Sequence, residues 1–358
     1  MAVFTSPYFD QHEALNFCHD QETGLKAIIA IHNTVLGPAV GGCRMFDYSS
    51  EQAAIDDVLR LSKGMSYKAA MAKLPYGGGK SVIIGDPRRE KSTAKLHAMA
   101  DFVNRCQGRY ITAADSGTTT EDLNLIGQKT AYVFGADDTT TLNAQTINPS
   151  PATAYGVFLG IKQALKHQRG CDDLCGIKIA IQGVGNVGFA LSQLLHDAGA
   201  RLWVSDSYHK NLRRAVDQFD ASVVSCDNIH RSEVDIFSPC AMGLALNNDT
   251  VNSIKADIIA GSANNQCSGL DIAESLHRRS ILLCPDYVIN AGGLIYLAHH
   301  YTKSSPDLTQ LLSAISDNLQ QIFTTAAATN DNPTQVANTI AEGRLSAAHE
   351  ARHVLAES

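Results

Sequence analysis

Residues 177–206 restrict the fold more than any other stretch of the chain. Ile177-Lys-Ile-Ala-Ile181 reads as a strand and runs directly into Gly183-Val184-Gly185-Asn186-Val187-Gly188. A helix follows, with Val187, Leu191, Leu194 and Leu195 on one face, and it ends at Gly199. A second strand, Arg201–Ser205, delivers Asp206, 23 residues after Gly183. A GxGxxG pattern alone says little. Between a strand and a helix, with an acid at this distance, it specifies a dinucleotide site. The glycines make the tight turn and let main chain approach a pyrophosphate at the helix N-terminus. Asp206 is placed to accept bonds from the adenosine ribose, and its charge repels a 2′-phosphate. The motif therefore points to NAD rather than NADP, although the cationic neighbours His209 and Lys210 act the other way.

Further strands extend this unit into an α/β, doubly wound Rossmann sheet: Asp235–Ser238, Asp257–Gly261 and Ile281–Cys284. Each ends in a polar or glycine-bearing loop, at Pro239-Cys240-Ala241, Ser262-Ala-Asn264-Asn265 and Asn290-Ala-Gly-Gly293. Ligands bind outside the carboxyl ends of such strands. Asn264 and Asn265 are either solvated loop residues or amides that hold a ligand, and position favours the second.

The amino-terminal part carries a different signal, Pro75-Tyr-Gly-Gly-Gly-Lys80-Ser81, ahead of the apolar Val82–Ile84. This predicts a glycine loop that presents Lys80 at the mouth of a strand. A P-loop is disfavoured, since the glycine it needs five positions before Gly79-Lys80 is Leu74. Leu25–Ile31 and Tyr110–Thr112 read as strands, Leu36–Arg44 as a glycine-rich turn region, and Ala94–Arg105 as a helix. Ser50 caps a helix with apolar positions at Ala54, Ile55, Val58 and Leu61, which Gly64 interrupts. Asp115 follows a strand and precedes Gly117, a place suited to chemistry or to a helix cap.

The threonine-rich stretch from Gly135 to Ser150 has linker composition, so domains of 1–147 and 148–330 are expected, with 331–358 returning to the first. The length of 358 residues, 44% of them hydrophobic and 18% charged, suits two globular domains. A net charge of −7 without a basic run argues against nucleic acid and anionic membranes as partners. Met1–Asp20 lacks the pattern of a signal peptide. The nine cysteines do not form a zinc-spaced set, so no metal is expected, and reduced, mostly buried thiols in a cytoplasm are.

Eight stretches together resemble one family. They are Leu36–Arg44, Gly64-Met-Ser-Tyr-Lys-Ala69, Gly77–Lys80, Tyr110–Asp115, Asn148-Pro-Ser-Pro-Ala-Thr-Ala-Tyr-Gly156, Gly183–Gly188, Gly261-Ser-Ala-Asn-Asn-Gln266 and Pro285–Gly293. The chain is similar to the glutamate/leucine/phenylalanine/valine dehydrogenases, most of all to the leucine-acting branch, from about residue 20 to its end. The resemblance implies an N-terminal α/β substrate domain, a Rossmann domain and a cleft between them. By it Lys80 is the catalytic lysine and Asp115 the acid/base carboxylate. Lys68 and Asn265 grip the substrate carboxylate, and Val40, Gly41, Ala113, Leu294 and Leu297 line an aliphatic side-chain pocket. Thr153 and Asn264 face the nicotinamide half of the cofactor, with Cys240 and Ala241 as further cofactor contacts.

The implied reaction is reversible oxidative deamination of a branched-chain L-amino acid to a 2-oxo acid, ammonium and NADH, in a homo-oligomer, often an octamer. The residue types suit it. A lysine partly stripped of water, with the charge of Lys68 nearby, gives up its proton more readily and can then activate water. Valine- or phenylalanine-preferring variants fit the same pattern. A non-catalytic NAD-binding protein would not need Lys68, Lys80 and Asp115 together. A hydroxy-acid dehydrogenase would need a histidine base with an arginine clamp at the strand ends, which the sequence does not offer.

Overall fold

The computed structural model describes residues 3–137, 147–241, 243–302 and 307–357. The chain divides into two compact units: Met1–Asn148 with His300–Lys303 and Ala341–Ser358, and Pro149–His299 with Ser304–Ile340. Most of the linker expected between Gly135 and Ser150 lies outside the described residues.

The first unit is built on five strands: β1 (Ala14–Asp20), β2 (Leu25–Asn33), β3 (Ala39–Phe46), β4 (Gly77–Ile84) and β5 (Tyr110–Ala114). Their order is β1-β2-β4-β3-β5. β2 is antiparallel to both β1 and β4, whereas β3 runs parallel to β4 and β5. Helices α1 (Glu51–Met71), α2 (Thr93–Arg105) and α3 (Thr120–Gly127), with the last helix of the chain from Ala341 on, complete it. The middle of β2, Ala27–Ile31, is apolar throughout because both its faces are covered. Ile29 and Ile31 pack with Met99 and Phe102 of α2, while Ile28 and Ala30 pack with Ala54 and Val58 of α1. Truncating one of these isoleucines to alanine costs about 2–5 kcal/mol.

Two expectations are corrected here. The glycines at 41–42 and 77–79 are not turn or loop residues; they lie inside β3 and β4, so Lys80 is mid-strand rather than at a strand mouth. The reason is close approach of main chain. A Cβ on Gly41 would lie 1.7 Å from the Gly79 carbonyl oxygen, and one on Gly78 would lie 2.0 Å from the Ser66 nitrogen of α1. Nor does Gly64 interrupt α1, which is continuous from its cap at Ser50. A helical glycine costs only about 1 kcal/mol against alanine, less than the packing of α1 on the sheet supplies.

The second unit holds β6 (Lys178–Gln182), β7 (Arg201–Ser205), β8 (Ser222–Val223), β9 (Ile236–Pro239), β10 (Ile258–Ile259) and β11 (Leu282–Leu283). All pair in parallel, in the order β8-β7-β6-β9-β10-β11. This is the doubly wound Rossmann order, and its direction reverses between β6 and β9. Around the sheet lie α4 (Ser150–Arg169), α5 (Asn186–Asp197), α6 (His209–Phe219) and α7 (Leu270–Arg278). After the single turn α8 (Asp286–Ile289) come α9 (Gly292–Thr302), α10 (Leu308–Thr329) and α11 (Pro333–Glu357). Asn330, at φ 60°, ends α10, and Pro333 starts α11.

No helix among the described residues is long and apolar enough to cross a membrane. All nine cysteines are unpaired, but they are not mostly buried: Cys18, Cys43 and Cys284 are, while Cys171, Cys175 and Cys226 are exposed.

Candidate active site

In the first unit the three parallel strands converge on one carboxylate. β3 lies between β4 and β5, and Asp115 directly follows β5. Lys80, only 6% exposed, reaches Asp115 Oδ2 with its Nζ at 2.6 Å. Arg44 of β3 donates from Nε to the same oxygen at 3.1 Å. Burial pushes the Asp115 carboxyl upward, but Lys80 and Arg44 outweigh it and hold the pKa down to about 2. Asp115 therefore rests as a carboxylate, paired with Lys80.

Asp115 caps no helix. Thr119 caps α3 in a capping box with Asp122, and Asp115 is left for the ion pair. Its main chain is fixed by Thr118, whose hydroxyl accepts from the Asp115 N–H at 3.0 Å and donates to the Cys43 carbonyl at 2.7 Å. Val40 and Gly41 are in β3 and Ala113 in β5, with Val40 paired to Ile111 and Gly42 to Ala113. Val40 and Ala113 are both buried. Lys68 is half-buried in the last turn of α1, two positions after Ser66, the residue pressed against Gly78.

In the second unit the glycine motif occupies the switch point. Gly183 turns at φ 92°, and a Cβ there would lie 2.8 Å from the Ala241 nitrogen. Gly188 packs helix α5 on the turn so closely that a Cβ would meet the Gly183 carbonyl oxygen at 2.0 Å. A Cβ on Gly185, in contrast, would have nothing within 4 Å. Gly185 is the N-cap of α5 and provides no side-chain cap, so Asn186 and Val187 present bare main chain to an anion. Asp206 receives Val184 N–H on Oδ2 at 2.9 Å, Asn211 Nδ2 at 3.1 Å and Tyr208 N–H on Oδ1 at 2.8 Å. A carboxylate has about four acceptor sites, so one remains for a ribose hydroxyl. These features fit a dinucleotide.

The loops after the next strands adjoin this turn. The Cys240 N–H donates to Gln182 at 2.7 Å, and Ala241 touches Gly183. Asn290, which the sequence reading left out of the site, organises the rest. Its Nδ2 donates to Asn264 Oδ1 at 2.9 Å and to the Ser262 carbonyl at 3.1 Å, and its own Oδ1 is buried without a partner among the described residues. Asn265 adopts φ 53° and its carbonyl accepts from the Leu244 N–H at 2.9 Å. Gly293 abuts the Thr153 hydroxyl in the first turn of α4. Leu294, buried, and Leu297, half-buried, follow in α9. In the second unit Asn290 is thus bonded to Asn264, and Gly293, three residues on, is packed on Thr153.

Arg44 and its support were also not singled out. Its Nη1 donates to Asp57 Oδ2 at 2.8 Å, where the Tyr48 hydroxyl donates at 2.8 Å, and Arg60 holds Asp57 Oδ1 at 2.8 Å. A signal was present: an arginine closing a run of small residues, as Lys80 does after its three glycines.

A Rossmann sheet with an open glycine turn, joined to a unit with a buried lysine–carboxylate pair, defines an NAD(P)-dependent oxidoreductase. The chain belongs to the Glu/Leu/Phe/Val dehydrogenase family: the model of the family's dimerisation domain matches residues 12–132, and that of glutamate/leucine/phenylalanine/valine dehydrogenase matches 148–209 and 207–353. It is 46% identical to leucine dehydrogenase of Geobacillus stearothermophilus over 344 residues, 95% of this chain and 92% of that one. It is 42% identical to L-tryptophan dehydrogenase of Nostoc punctiforme, covering 94% of each chain. The crystal structure of L-tryptophan dehydrogenase from Nostoc punctiforme matches 95% of this chain and 97% of its own with a TM-score of 0.80 at 40% identity. Phenylalanine dehydrogenase of Caldalkalibacillus thermarum is 38% identical over 96% of this chain and 94% of its own.

Proposed function

We propose that the protein catalyses NAD-dependent, reversible oxidative deamination of a branched-chain L-amino acid: amino acid, NAD⁺ and water give 2-oxo acid, ammonium, NADH and a proton. The buried Lys80–Asp115 pair, beside aliphatic Val40 and Ala113, is the observation that carries this reading. The leucine dehydrogenases at 46% identity support it. When bound, the nicotinamide accepts a hydride from the substrate Cα. All remaining work falls to the chain's own groups.

Lys68 and Asn265 hold the substrate carboxylate. Val40, Gly41, Ala113, Leu294 and Leu297 take the side chain, and without a basic residue among them an acidic side chain is excluded. Once the Lys80–Asp115 pair has lost one proton, Lys80 takes a proton from the water that attacks the iminium carbon. Asp115 shuttles protons as the amine leaves, help worth roughly 10²–10⁴-fold. Gly183–Gly188 receive the pyrophosphate, Asp206 the ribose, and Thr153, Cys240, Ala241 and Asn264 the nicotinamide half. The charge of Asp206 selects NAD over NADP. The dimerisation-domain match supports a homo-oligomer, for which an octamer is proposed, and the cytoplasm is the proposed compartment.

The relatives acting on tryptophan and phenylalanine keep an aromatic substrate as the second reading. NADH formation with a panel of L-amino acids and L-hydroxy acids separates these. Leucine, valine and isoleucine should respond together, because one methylene is worth only about 1–3 kcal/mol in such a pocket. A response to aromatic amino acids alone would move the assignment to the second reading, and a response to hydroxy acids alone would remove both.

A further inference from the structure

Lys80 and Arg44 share one oxygen of Asp115, and Arg44 is shared in turn between two carboxylates. Nε of Arg44 meets Asp115 Oδ2 at 3.1 Å, while Nη1 meets Asp57 Oδ2 at 2.8 Å. The Arg44 and Asp57 side chains are only 19% and 14% exposed, so water screens the chain of charges weakly. The order is Lys80–Asp115–Arg44–Asp57–Arg60, with alternating sign. We propose that Arg44, anchored by Asp57, is a positioning residue that sets the pH at which the Lys80–Asp115 pair releases its catalytic proton. This rests on the deamination reading above.

The physical argument is one of shared charge. A carboxylate with Lys80 as its single cation would bind the ammonium tightly and delay its proton loss. Arg44 on the same oxygen draws off part of that attraction, so the pair gives up its proton at lower pH. Asp57 works against Arg44 by taking part of its charge. Its own restraint comes from Arg60 and the Tyr48 hydroxyl. The other titratable group facing Asp115 is Cys43 of β3, which burial pushes up to about 11, so it stays neutral. Burial and Asp57 likewise raise Tyr48 far enough to keep it neutral. The balance therefore lies among Lys80, Asp115, Arg44, Asp57 and Arg60, on a background from Lys68 and the Lys91–Asp122 pair that every variant below retains. The fork of Arg44 matters as well as its charge, because Nε and Nη1 address different carboxylates at once and a lysine has one nitrogen to offer.

The test is the pH profile of kcat/KM for NADH formation from L-leucine, whose alkaline rise reports the pair as a unit. Arg44→Gln should move that rise upward by about one unit, a roughly tenfold loss at a fixed pH below it. Asp57→Asn should move it downward, and Arg44→Lys should recover part of the Arg44→Gln shift. Far-UV circular dichroism through urea unfolding, compared with the wild type, is the check that the first unit of each variant is folded. A purely structural role would lower activity in all three with the rise in place, and that outcome, or shifts of the same sign in Arg44→Gln and Asp57→Asn, overturns the proposal. Should Arg44→Gln not fold, Asp57→Asn decides alone, since an unmoved or raised limb there contradicts the shared-charge argument. If the wild type itself makes no NADH from any L-amino acid, it is the deamination reading that has failed.

Discussion

His32 gives the first unit a calculable acid sensitivity. It is the extra residue where the β2–β4 register shifts, between the pairs Ile31↔Gly79 and Asn33↔Gly78. Its ring lies 4.8 Å from that of His12 and its Nδ1 is 2.8 Å from the Ser66 hydroxyl. Burial, reinforced by His12, lowers its pKa from 6.5 to about 4. The folded ring thus binds a proton less readily than the unfolded one. Its contribution to stability is complete above the unfolded pKa and is lost as pH falls through the folded one. A shift of 2.5 units corresponds to about 3 kcal/mol in full, of which about 2 kcal/mol has gone by roughly pH 5. His32→Asn keeps a partner for Ser66 and removes the titration. Urea unfolding followed by far-UV circular dichroism, at about pH 7.5 and about pH 5, should show the wild type losing about 2 kcal/mol more than the variant. Trp203, the only tryptophan, lies in β7 of the second unit, so its fluorescence is not the readout. His12, also lowered by burial, remains in both proteins and largely cancels. Equal acid losses in the two would show that protonation of His32 is not coupled to folding, and the reasoning from its burial would be wrong.

Other expectations concern the two functional centres. Lys80→Ala should cut kcat by at least about 10²-fold with NADH affinity, read by fluorescence titration, unchanged; full turnover would remove Lys80 from the chemistry. Gly188→Ala should destabilise the second unit by about 1–3 kcal/mol or more, because its methyl would collide with the Gly183 carbonyl. Gly185→Ala should fold normally and bind NADH more weakly, so a thermal-shift assay with and without NADH distinguishes the two. Asp206→Ser should narrow the preference for NAD over NADP by about tenfold or more in kcat/KM, and an unchanged ratio would detach Asp206 from the ribose.

The second unit was the more legible in sequence, for a physical reason. Its motif is local: turn, helix and acid follow one another within thirty residues, and parallel strands buried on both faces read as plain apolar runs. Arg201–Ser205 coincides with β7. The first unit depends on contacts distant in sequence. Gly41 and Gly78 carry loop composition, yet each is a glycine because main chain from elsewhere occupies the space of a Cβ, and no local pattern records that. Lys80 and Asp115 stood out by residue type and position. Arg44 and Asp57 did not, because their convergence depends on β3 inserting between β4 and β5 beside α1. Asn290 was visible as a loop residue, but its grip on Ser262 and Asn264 comes from the strand order of the sheet.

Main chain, rather than side chains, makes up much of the surface under Lys80. Peptide groups packed this tightly have no rotamers to exchange, so the amine is held on a rigid plate with little room for drift. On the function proposed above, substitutions in the first unit that retune which amino acid is accepted fall on side chains beside this plate, such as Val40 and Ala113. A fixed anvil under one amine leaves the mould around it as the part that sequence change can recut.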